Sequence, residues 1–143
     1  MTRCGLPADA PRVVPARSWL EANFSVRTDP GKSARERESL RDATYYYYCW
    51  SAADALMGLG IQDVETKAGK LRWAEALARE LFSRQRADGS WANSFANAKQ
   101  DDPLVTTPLA AAAVAICRQA ATGEEQALVP RVPGAGYPAM YRR

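Results

Sequence analysis

Few residues in this chain of 143 have the type and spacing for chemistry. Two adjacent carboxylates, Asp101 and Asp102, stand directly before the apolar run "PLVTTPLAAAAVAIC". Carboxylates at that place suit the cap of a helix, where a side-chain oxygen accepts from free backbone amides. A neighbouring lysine, here Lys99, is expected to favour the ionised form, which suits capping and disfavours an acid catalyst. An aromatic cluster, Tyr45, Tyr46, Tyr47, Tyr48 and Trp50, could stabilise a cation through ring faces. Consecutive residues spread around the whole circumference of a helix, so these rings cannot all face one ligand. Tyr45, Tyr48 and Trp50 are the candidates for binding, and the rest are expected to pack.

Other chemistries lose their reagents. There is no histidine, and the three cysteines, Cys4, Cys49 and Cys117, form no Cys-x-x-Cys pair. Zinc lacks its usual nitrogen ligand and a disulfide framework has an odd thiol left over. No metal site and no cofactor are expected, and two of the thiols should pack inside helices. "DPGKS", Asp29–Ser33, has the look of a phosphate loop, but Arg27 stands where its upstream glycine belongs and no strand precedes it.

Four helices would position these groups. The first runs from about Pro15 to Phe24 with Trp19, Leu20 and Phe24 on one side, and a polar loop with Asp29-Pro30-Gly31 as its turn follows. The second spans about Ala43 to Leu59 and stops at Gly58 and Gly60. The third, Lys70 to Arg86, repeats apolar residues at Leu71, Ala74, Leu77, Ala78, Leu81 and Phe82, at three- and four-residue steps. Its polar face carries the pairs Glu75–Arg79 and Glu80–Arg84. The fourth, Pro103 to Ala121, is apolar almost all round until Arg118, and Pro108 should kink it or mark its effective start. Wet-sided and buried helices therefore alternate, an order suggesting the outer and inner members of a helical repeat array.

"RQRADGSW", Arg84–Trp91, joins the third and fourth helices. Gln85 is expected to end the third helix and to bond to free backbone groups there. Gly89 allows a tight turn, and Trp91 lays its ring across the helix end. Gln85 to Trp91 reads Gln-x-x-x-Gly-x-Trp, which resembles the QW motif of the squalene–hopene cyclase and prenyltransferase repeat superfamily. "WLEANFSVRTDPG", "YYYYCWSAADAL" and "DDPLVTTPLAAAAV" are similar, in that order, to successive pieces of bacterial squalene-cyclase-like repeat proteins. The resemblance covers roughly residues 15–121.

It implies an all-α fold, a partial α/α toroid of about four helices in alternating outer and inner layers. It also implies a C-terminal fragment of a longer chain, because four helices cannot close such a ring. The family's acid is Asp-x-Asp-Asp. Asp101 and Asp102 match its end, but Lys99 replaces the first aspartate, and Pro103-Leu104 stand where Thr-Ala is usual. Those two aspartates are thus weak catalytic candidates, and Thr106 joins the aromatic residues as a binding candidate by its place at the head of an inner helix. The zinc site of protein prenyltransferases needs a histidine, and the thioester toroids need Gly-Cys-Gly-Glu-Gln; neither is present.

Residues 1–14 are expected to be a flexible lead-in and 122–143 a disordered tail rich in proline and glycine. Net charge is only +3, with both signs interspersed, so no basic stripe speaks for nucleic acid. No window is read as reaching the roughly 18 apolar residues of a membrane span. The first residues, broken by Pro7, Pro11 and Pro15, do not read as a secretory signal. The expected function is a repeat segment of a terpenoid-cyclase-like protein without its own catalytic acid. Its partners are the remaining repeats, with an isoprenoid or lipid as the implied ligand. The alternative is a non-catalytic repeat module that binds a protein, lipid or glycan.

Overall fold

A computed structural model describes Pro7 and residues 9–30, 34–66 and 69–123. Cys4, Gly31, half of the expected lead-in and all but two residues of the expected tail lie outside the described residues. Helix α1, Val13–Asn23, begins two residues before Pro15, which sits in the first turn where a missing N–H leaves no bond unmade. Leu20 and Phe24 pack on the core, whereas Trp19, expected beside them, is exposed.

The segment expected to be a plain polar loop carries a 3₁₀ stretch, Arg35–Thr44, which leads directly into helix α2, Tyr45–Gly58. The C-terminus of α2 is closed by two reversed bonds, Gly60 N–H to Met57 O at 3.0 Å and Ile61 N–H to Leu56 O at 3.0 Å. Gly60 adopts φ +67°, the left-handed conformation that this cap requires.

The chain is not the expected all-α partial toroid, because a two-stranded sheet stands among its helices. Strand β1, Asp63–Thr66, pairs antiparallel with β2, Gly69–Arg72, in the register Asp63↔Arg72, Val64↔Leu71, Glu65↔Lys70 and Thr66↔Gly69. The molecule is mostly helical with a two-stranded sheet between α2 and the next helix. Lys70 to Arg72, expected to open the third helix, belong to that sheet. The cause is visible in period-two alternation: Val64 and Leu71 turn inward while Asp63, Glu65, Lys70 and Arg72 carry charge outward. Asp63 lies 3.5 Å from Lys70 and 3.7 Å from Arg72, and Gly69 takes φ +108° at the start of β2.

Helix α3 then runs Trp73–Ser83, shorter at both ends than its periodicity suggests. Trp73 is buried and its indole N–H donates to Ile61 O at 2.6 Å, fixing the hairpin to the helix start. Helix α4, Pro103–Thr122, is continuous through Pro108. Pro108 is exposed, so the Leu104 carbonyl that it leaves without an amide partner faces the wet side of the helix.

Helix α4 is central, packing against both α2 and α3. Ala53 of α2 and Ala110 and Ala113 of α4 are fully buried, and such small side chains let backbones approach closely. Trp73, Leu77 and Leu81 of α3 fill the other side of the same core. Each contributes about 1.5–3 kcal/mol by leaving water. By length and composition alone α4 is also apolar enough for a membrane span, a test that the core helix of a soluble protein passes as well.

Candidate functional site

The link between α3 and α4 is built around Trp91. Its ring is only 5% exposed, and the indole N–H donates to Leu81 O at 2.7 Å, in the last turn of α3. Both backbone groups of Trp91 are held by threonines from the first turns of α4. The Trp91 amide donates to Thr107 Oγ1 at 3.2 Å, and the buried Thr106 hydroxyl donates to Trp91 O. Thr106 Oγ1 also lies 3.1 Å from Asp102 O. Thr106 is therefore a clamp on the link and not a group facing a ligand.

Gln85 lies beyond the end of α3, which stops at Ser83, and it does not touch the tryptophan ring by hydrogen bond. Its amide donates to Gly89 O at 2.8 Å and closes the turn in which Gly89 takes φ +84°. Within that turn Asp88 accepts from the amide and the hydroxyl of Ser90 at 2.9 and 2.7 Å. Those two donors, the amide first, hold the Asp88 carboxyl below its ordinary range.

Asp101 and Asp102 are both exposed. Asp102 caps α4, accepting from Leu104 N–H at 2.8 Å, with Pro103 in the first turn. Neither aspartate stands in a water-excluded site.

The aromatic candidates separate. Tyr45 is buried and donates to Val26 O at 2.6 Å, with the Arg84 guanidinium 4.0 Å above its ring. Tyr48 donates to Ser25 O at 2.8 Å and accepts from Ser25 N–H at 3.0 Å. Both hydroxyls are thus committed to the segment after α1. Burial pushes the Tyr45 phenol well above its ordinary range and the Tyr48 phenol up to about 12. Trp50 behaves differently. It is 36% exposed and meets Tyr47, 55% exposed, edge to face at 5.9 Å. Tyr47, absent from the sequence candidates, is thus the ring that shares the solvent-facing stripe of α2 with Trp50.

Opposite its buried face α4 leaves a second apolar surface open. Leu104 is 85% exposed, and Val105, Pro108, Ala111 and Ala115 are exposed along the same helix. Among the described residues no cluster of His, Cys, Asp and Glu is placed to hold a metal ion. Cys49 and Cys117 are buried in the α2–α4 core, and burial pushes each thiol up to about 12, so neither is a nucleophile at neutral pH.

Gln100 is the polar residue that sequence reasoning missed. It is buried, and its Oε1 accepts from Tyr46 N–H at 3.1 Å and from Asn93 Nδ2 at 3.2 Å. Thr44 makes no side-chain cap, so Gln100 caps α2 from 54 residues away. No local signal could announce it.

No family model matches this chain, and neither a curated protein nor a solved structure matches it.

Proposed function

We propose that this chain is a non-catalytic packing unit of a terpenoid-cyclase-like repeat protein, and that neighbouring helices of a longer chain seat on the open face of α4. The exposure of Leu104, Val105, Pro108, Ala111 and Ala115 on a helix otherwise made for burial carries this reading. A helix apolar on all sides is stable in water only when most of its sides are covered. The Gln85–Trp91 turn and the ordered pieces around it support the same placement by their resemblance. The sites of Asp101 and Asp102 support the absence of an acid catalyst from this segment, since one caps a helix and both are wet.

The test is on the full chain in dilute solution. The wild-type protein should bind an apolar-surface dye and self-associate in light scattering. The double variant Leu104→Lys/Ala111→Lys should lose both properties while its melting temperature stays within about 4 °C, because exposed substitutions change stability by about 0.5 kcal/mol or less each. A wild-type chain that is a monodisperse monomer without dye binding would sink the proposal.

A further inference from the structure

We infer that Ser25–Asp29 is a strap that opens as a unit while the α2–α3–α4 core stays folded. This goes beyond the packing role proposed above and stands on different contacts. The strap makes no backbone–backbone hydrogen bond to another described residue. Side chains pin it instead, and they come from separate parts of the fold. Tyr48 and Tyr45 of α2 take Ser25 and Val26 O, the latter at 2.6 Å. Arg84, just past α3, donates to Arg27 O at 2.7 Å. Asp42 Oδ1 accepts from the Thr28 hydroxyl at 2.6 Å and from Asp29 N–H at 3.0 Å. Thr44 Oγ1 donates to Asp29 Oδ2 at 2.8 Å, and Arg41 Nη1 to Asp29 O at 3.3 Å.

Such a segment differs from the core in what it would lose on opening. The core is held by buried apolar side chains of α2, α3 and α4, none of which belongs to the strap. From the strap only Val26 packs against that core, partly buried. The remaining contacts are polar, close to the surface, and replaceable by water, which marks a unit at the low-stability end of a structure. Opening bares the Tyr45 and Tyr48 hydroxyls and the Arg84 guanidinium, and it frees the peptide bond after Arg27. Asp42 is the main pin, because one carboxylate oxygen holds two successive strap residues.

The exposed Arg27 side chain supplies the assay. Limited trypsin digestion of the full chain, read by mass spectrometry, reports initial cleavage between Arg27 and Thr28. When reclosing is fast, that rate follows the open population. Asp42→Asn is expected to raise it on the order of tenfold, while amide exchange in α2 and α4 stays at the wild-type rate. Thr28→Val, which removes one of the two donors without touching Asp42, should raise it about threefold and guards against a folding defect in the first variant. Unchanged cleavage in both variants would overturn the inference. So would strap and helix amides that exchange together, since the strap would then open only with the whole molecule.

Discussion

Truncating Trp91 to alanine removes the piece that joins α3 to α4. The ring is 5% exposed, so almost its whole surface re-enters water or leaves a cavity. Substitutions of that kind cost about 3–5 kcal/mol, depending on how far the walls collapse. The Thr106 hydroxyl and the Thr107 oxygen grip backbone groups of residue 91 and would hold the link in place, so collapse should be small. The expected loss is therefore about 4 kcal/mol, a large share of the 5–15 kcal/mol typical of a domain. Trp91→Phe separates the ring from its N–H. It keeps most of the volume but removes the 2.7 Å bond to Leu81 O, which also accepts from Arg84 N–H at 3.1 Å. Because that carbonyl keeps one donor, Phe should cost only about 1–2 kcal/mol. Urea denaturation followed by far-ultraviolet circular dichroism measures both. With a slope near 2 kcal/mol per molar, the alanine variant should unfold about 2 M earlier. A loss below about 1 kcal/mol for Trp91→Ala at unchanged slope would refute the claim that this ring closes the α3–α4 link.

Two further outcomes follow from the same contacts. Asp102→Ala should lower stability by about 1 kcal/mol through loss of the α4 cap, whereas Asp101→Ala should be nearly neutral; equal effects in denaturation would remove Asp102 from that role. Stability should also fall in alkali. Cys49, Cys117 and Tyr48 are held up to about 12 by burial, against ordinary values of 9.0 for a thiol and 10.0 for a phenol. The folded chain therefore binds more protons than the unfolded one in that interval, so this stability is complete below about pH 9 and drains as pH rises toward 12. A urea midpoint that stays flat from pH 8 to about 11 would contradict that burial.

Helix α4 was legible because its signals are local: Asp-Pro at the start, a long run without charge, and glycine after the end. The body of α3 was legible for a similar reason, since Ala74, Leu77 and Leu81 keep a helical step, which Leu71 of β2 extends backwards. That same step hid the hairpin. Leu71 fits the helix period and the strand alternation equally well, and only pairing with Val64 decides between them. The four-tyrosine run has no period at all, so nothing in it says which ring turns outward. Docking of α2 on α4 makes that choice, burying Tyr45 and Tyr46 and leaving Tyr47 beside Trp50 in water.

Sequence alone determined that helices dominate, where α4 begins, and that Gln85, Gly89 and Trp91 lie in the link before it, but its all-α reading missed the hairpin. Those features arise from neighbours within a turn or two, whose preferences act before any tertiary contact exists. Tertiary structure decided the rest. Gln100 caps Tyr46 across 54 residues, Arg84 reaches Arg27 across 57, and Asp42 holds Thr28 across 14. Pairings of that range are set by which faces the core brings together, and no local pattern encodes them.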